Sequence, residues 1–171
     1  MQSEQKGVKL ELRGETDAVL TRYFAAPREL IFDYHTKPEL MRKWLIGPGG
    51  MKLDVCENDL RAGGKYLYAY ADEKGKLMGV YGHFIEVAAP ETLTNTENYM
   101  MDMETFDPNA AEDPAATVES RVFSTDGEST LVTHTCTYAS AEVRGMMMDS
   151  GMVDALEECY RKLEECIREN H

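Results

Sequence analysis

His134 is the first residue of this chain that could do chemistry. It lies in STLVTHTCTY, where Val132, His134, Cys136 and Tyr138 alternate with Leu131, Thr133, Thr135 and Thr137. Successive residues of a strand face opposite sides. Threonines suit a solvated sheet surface, so the histidine set is expected to face the core, an assignment that a single bulge would reverse. An inward imidazole can bind a ligand or act as acid or base. The competing reading is a core histidine bonded to a tyrosine or a backbone carbonyl. Cys136 lies two residues on, but no third group is evident to orient a Cys–His nucleophile. His83, in GVYGHFIEV, has no assigned face.

Tyr66, Tyr68 and Tyr70 recur at period two in KYLYAYA and share one strand face. Their rings and hydroxyl tips suit either a packed face or the wall of a ligand cavity. Trp44 is the only tryptophan, and the eleven methionines include clusters at 146–148 with Met152 and at Met100, Met101 and Met103. Thioethers fill cores and adaptable pockets alike. The candidate ligand cavity is therefore lined by Trp44, Tyr66, Tyr68, His134, Met148, Met152 and Tyr160. The acidic stretch with Asp102, Glu104, Asp107, Glu112 and Asp113 lacks EF-hand spacing and reads as a solvated loop, with a lid over the cavity as the alternative. There is no phosphate-binding glycine loop, no GxSxG and no HExxH, and no catalytic residue, metal or cofactor is assigned.

The elements that must position these residues follow from the same patterns. TDAVLTRYF at 16–24 reads as a strand, and Pro27 opens a helix through RELIFDYHT, with Leu30, Ile31 and Tyr34 as its buried stripe. Pro38 opens a second short helix, PELMRKWLI, which GPGG at 47–50 breaks. Strands are predicted at 51–57, 65–71 and 77–87, then in TLTNTENY, ATVESRVFS and STLVTHTCTY, with TDGE as the last hairpin turn. Ser140 is a plausible N-cap for the final helical stretch. Met152, Leu156, Cys159, Tyr160, Leu163, Cys166 and Ile167 repeat there at helical spacing, and Gly145 and Gly151 suggest a bend upstream. Helices segregated from an antiparallel meander give an α+β architecture of sheet on helix.

The chain has 171 residues, 43% of them hydrophobic, which is enough for one sizeable core. Residues 1–14 read as an N-terminal tail and 15–171 as a single domain. Its formal net charge of −13 opposes both a phosphate backbone and an anionic membrane surface, so neither nucleic acid nor membrane is an expected partner. No apolar run approaches the roughly 20 residues that cross a bilayer, and the first residues carry no signal-peptide pattern. A cytoplasmic location is the default expectation. Cys56, Cys136, Cys159 and Cys166 form no CxxC pair and read as free thiols.

Four stretches in order, TRYFAAPRELIFDYHTKPELMRKW, DLRAGGKYLYAY, GVYGHFIEVAAPETL and SAEVRGMMMDSGM, resemble the activator-of-heat-shock-ATPase-like branch of the START-related (SRPBCC, polyketide cyclase-like) superfamily. The resemblance covers nearly everything after residue 15. It implies a helix-grip fold, a curved antiparallel sheet wrapped around a long C-terminal helix with two short helices after the first strand, enclosing a cavity. Relatives include hydrophobic-ligand carriers, hormone binders, aromatase/cyclases and stimulators of heat-shock-protein-90 ATPase, the last with an additional N-terminal domain. Many continue after the matched tryptophan with a second tryptophan and Gly-Pro, where this chain has Leu45-Ile46 before Gly47-Pro48. Three functions stay open in consequence. Noncatalytic binding of a small hydrophobic, aromatic or lipid-like ligand comes first, a co-chaperone acting on such an ATPase second, and a cyclase/aromatase-type enzyme third. Monomer and homodimer are both compatible with the sequence.

Overall fold

The structure, a computed structural model, describes residues 7–171. Its strands are β1 (Lys9–Arg13), β2 (Asp17–Phe24), β3 (Lys52–Asn58), β4 (Lys65–Ala71), β5 (Leu77–Ala88), β6 (Thr92–Met100), β7 (Thr117–Asp126) and β8 (Ser129–Thr137). They form one antiparallel sheet in the order β1-β2-β8-β7-β6-β5-β4-β3. Its helices are α1 (Arg28–Thr36), α2 (Pro38–Met41), α3 (Ala141–Asp149) and α4 (Met152–Asn170). This is the expected α+β helix-grip arrangement.

Alternation sets the two faces of the sheet. Val132, His134, Cys136 and Tyr138 are all buried, as the threonine-rich opposite face predicts. The apolar stripe of α4 meets that face: Tyr160, Leu163 and Ile167 pack into one core with Phe24, Phe84, Phe123 and Val132. A second, smaller cluster of Ala18, Leu20, Cys136 and Tyr138 is covered by Val143, Met147 and Met148 from α3 and by Met152 and Val153 from α4. Ser140 caps α3 by accepting a hydrogen bond from the Val143 amide at 3.1 Å. Gly151, at φ 84°, makes the left-handed turn between α3 and α4, a conformation that glycine adopts without Cβ strain. Arg22 ties β2 to α4 through Glu157 at 3.1 Å and Glu164 at 3.4 Å, and is itself buried.

Two elements differ from expectation. Residues 9–13, assigned to the tail, pair with β2 as an edge strand whose side chains are all exposed. With no buried face, such a strand leaves no burial pattern to read. Residues 1–6 of that tail lie outside the described residues. The helix expected over 38–46 ends at Met41 and continues as a turn, because Trp44 is drawn into the core, where its Nε1 donates to Tyr34 O at 2.8 Å.

Candidate functional site

Between the sheet and α4 lies a cavity of about 150 Å³. The period-two tyrosines of β4, Tyr66, Tyr68 and Tyr70, form one wall. Trp44 and Tyr160 form another, stacked with centroids 5.8 Å apart and planes 20° apart. Two of the tyrosine hydroxyls are committed elsewhere. Tyr66 donates to Thr96 O at 2.5 Å, and Tyr68 accepts from Asn58 Nδ2 at 3.1 Å. The surface these two residues offer the cavity is therefore mostly ring.

The charged part of the wall comes from β6 and β7, with β8 behind it. The two-residue turn between Asp126 and Ser129 sets the hairpin register, which places Arg121 opposite His134 and Glu119 opposite Cys136 on the inward face. The next ladder places Asn95 opposite Glu119. Glu119 is the hub: its Oε2 accepts from His134 Nε2 at 2.5 Å, from Arg121 at 3.4 Å and from the Cys136 thiol at 3.7 Å. Glu97 also hydrogen bonds to Glu119.

Burial alone would raise the pKa of Glu119, but Arg121 and His134 outweigh it and hold this carboxyl well below the usual range. Glu97 goes the other way: burial, and then the charge of Glu119, push it well above. Of the two carboxyls, Glu97 is therefore the one that favours the proton and Glu119 the one that favours the charge. Burial and Arg121 lower His134, which stays neutral and donates through Nε2. Arg121 is kept charged because Glu119 outweighs its burial. The Arg121 charge is thus answered by the Glu119 charge, 3.4 Å away.

His35, on α1, also lines the cavity. Its Nδ1 lies 2.8 Å from Ile31 O, a carbonyl that can only accept, so Nδ1 carries the proton. Burial, offset in part by that bond, lowers its pKa to about 3. The imidazole is thus neutral, and Nε2 is a bare lone pair with no hydrogen-bond partner among the described residues.

The family model for activator of Hsp90 ATPase homolog 1-like proteins matches residues 25–168. The chain belongs to this family. Solved structures share the fold. A protein from Rhodobacter sphaeroides is 23% identical, with TM-score 0.82, over 95% of this chain and 99% of its own. One from Mycobacterium smegmatis is 24% identical, with TM-score 0.77, over 97% and 98%. One from Nitrosomonas europaea is 22% identical, with TM-score 0.77, over 94% and 99%. No curated protein matches the chain. Among the described residues no helix is long and apolar enough to cross a membrane.

Of the residues singled out from the sequence, this member of the activator family brings Trp44, Tyr66, Tyr68 and Tyr160 together around the cavity. His134, Met148 and Met152 are placed elsewhere. His134 sits behind Glu119, which takes the cavity-facing position. Met148 and Met152 belong to the second cluster, over Tyr138, whose hydroxyl lies 3.3 Å from the Met152 sulfur. The methionine-rich turn thus covers the sheet beside the cavity and lines none of it. Glu97, Glu119, Arg121, Asn95 and His35 were not singled out.

Glu119, His134 and Cys136 do place an oxygen, a nitrogen and a sulfur within 4.8 Å of one another, a donor set of the kind zinc takes. The Arg121 guanidinium, 3.4 Å from the same Glu119 oxygen, opposes a dication there, and the His134–Glu119 hydrogen bond already accounts for the contact.

The acidic segment 101–116 is not a lid over the cavity. It lies on the outer face of the sheet, where Phe106 packs on Tyr81 with centroids 4.7 Å apart and Lys65 Nζ donates to Pro108 O at 2.9 Å. Glu112 fastens it by accepting from Thr96 Oγ1 at 2.6 Å and Asn98 Nδ2 at 2.8 Å, with His83 Nδ1 at 2.7 Å. Burial raises the Glu112 pKa, but these three bonds outweigh it and lower it overall. A lowered carboxylate contributes stability above its unfolded pKa of about 4.3 and loses it as pH falls through the folded value. Proteolysis within 101–116 is accordingly expected to accelerate about fivefold between pH 6 and pH 3, the equivalent of one lost hydrogen bond. Glu112→Ala should be fast at both pH values when assayed with an acid-tolerant protease. Equal rates for the two proteins at pH 6 would refute the fastening role.

Proposed function

We propose that this protein binds one compact aromatic or apolar molecule in the cavity between its sheet and α4, without transforming it. The observation that carries the reading is the cavity itself: about 150 Å³ walled by Trp44, Tyr66, Tyr68, Tyr70 and Tyr160. A space of that size suits a single ring, and it is smaller than the roughly 300–1,000 Å³ of pockets for drug-sized ligands. A long acyl chain does not fit it. The test is native mass spectrometry of the purified protein, with a thermal-shift screen of ring compounds against acyl chains. A rise in Tm with single-ring compounds, lost when Tyr68 is changed to Ala, is the expected result. Stabilisation by fatty acids alone, or by nothing in the screen, would overturn it.

A second reading, action on a heat-shock-protein-90-type ATPase, is favoured by the family to which the chain belongs and by large apolar side chains left exposed. Tyr99, Met101 and Met146 are each more than half exposed, at 53%, 62% and 61%. An ATPase assay with the chaperone of the same organism tests it. No change at saturating protein would end it.

A further inference from the structure

The polar side of the cavity has a feature that an apolar ligand leaves unused. We infer that the ligand is a neutral ring bearing a hydroxyl, of the phenol class, whose O–H donates to His35 Nε2 while its polar end accepts an N–H of Arg121. This rests on the reading that the cavity is a ligand site.

His35 is more than nine-tenths buried, and its Nδ1 proton is taken by the carbonyl of its own helix. Nε2, on the far side of the ring from that bond, is buried at the cavity wall with no donor among the described residues, and a ligand hydroxyl reaches it with a small shift of that wall. A buried acceptor without a donor is costly, and a ligand O–H removes that cost. Arg121 supplies the complementary half. Its guanidinium has five N–H donors, and its two side-chain hydrogen bonds among the described residues, to Asn95 Oδ1 at 3.3 Å and Glu119 Oε2 at 3.4 Å, are both long. It also lines the cavity.

Charge decides between a neutral ligand and an ion. Arg121 is balanced by Glu119 at 3.4 Å, burial disfavours the Glu97 anion, and both His35 and His134 are neutral. A carboxylate or an ammonium would add an unbalanced charge to a buried site. A neutral hydroxyl adds none. T-shaped contacts of the His35 ring with Trp44 and Phe123, with centroids 4.9 and 5.1 Å away, hold the imidazole in this orientation.

The experiment titrates the full chain with phenol, toluene, anisole and benzoate, following Kd by calorimetry or ligand-observed NMR. Phenol is expected to bind roughly five- to tenfold more tightly than toluene, the worth of one hydrogen bond. Anisole, an acceptor without a donor, should resemble toluene, and benzoate should bind most weakly. His35→Phe should abolish the preference for phenol while retaining toluene. Because that variant could fold poorly, the wild-type imidazole is also read directly. Its unprotonated ¹⁵N resonance should move on adding phenol and stay still on adding toluene. Equal binding of phenol and toluene, or tightest binding of benzoate, overturns the hydroxyl assignment and leaves the cavity reading standing. Binding of none of the four removes the cavity reading itself.

Discussion

Glu119→Ala is expected to destabilise the protein by about 3–5 kcal/mol, the usual cost of removing one partner from a buried charge pair. The residue is 5% exposed, and three donors converge on one of its oxygens: His134 Nε2, the Arg121 guanidinium and the Cys136 thiol. Without it, Arg121 keeps its charge on the half-buried cavity wall, and among the described residues lining the cavity Glu97 is the carboxyl left to answer it. Burial and then Glu119 disfavour the Glu97 anion. Once Glu119 is gone, the repulsion goes with it, and Glu97 can ionise beside Arg121. The loss should therefore fall at the lower end of the range in the single variant and grow when Glu97 is also neutralised.

That coupling gives a sharper test by urea unfolding. Glu97→Gln alone should cost under about 1 kcal/mol, because the amide can still donate to Glu119. The double variant should exceed the sum of the singles by about 1–3 kcal/mol, the coupling expected of groups in one network. Additivity within about 0.5 kcal/mol would show that the two carboxyls do not share a proton. The pH dependence has a matching sign. A carboxyl whose folded pKa is raised contributes stability below its unfolded pKa of about 4.3, and loses it as pH rises toward the folded value. Wild type should consequently lose up to about 1.4 kcal/mol per pH unit more than Glu97→Gln across that window.

These charges escaped the sequence for a definite reason. In β7, Val118 and Val122 fall on one face and Glu119, Arg121 and Phe123 on the other. Hydropathy points the valines inward and the charges outward, yet Val122 is 40% exposed and Glu119 is buried. The signal that could have corrected this was the hairpin. With TDGE as a tight turn, His134 must oppose Arg121 and Cys136 must oppose Glu119, so an inward His134 carries both charges inward with it. Strand periodicity sufficed for β4, whose tyrosines wall the cavity, and helical spacing sufficed for α4, whose apolar stripe grips the sheet. Glu112 offered no local signal, since its partners His83, Thr96 and Asn98 come from two strands that precede it. His35 offered none either, because a histidine on an amphipathic helix becomes an acceptor only through the rotation that gives its Nδ1 proton to Ile31 O.

Tyr160→Ala is the substitution that joins stability to binding. The residue is 2% exposed, its ring meets Phe24 edge-on at 5.1 Å, and it stacks on Trp44 at 5.8 Å. Truncating a buried aromatic costs about 3–5 kcal/mol, from lost burial and from the space left behind. That space opens onto the existing cavity, which Tyr160 already lines. The variant should therefore be less stable and at the same time accept a larger ligand. Naphthalene should raise the Tm of Tyr160→Ala, because a ligand that binds only the folded state stabilises it by RT ln(1 + [L]/Kd), and should leave wild type unmoved. Tyr160→Phe keeps the ring and should behave as wild type toward both single-ring and two-ring compounds. Were naphthalene to act equally on wild type and Tyr160→Ala, the bound molecule would lie somewhere other than against Tyr160. A stability loss without any change in ligand size would make Tyr160 a core residue and nothing more.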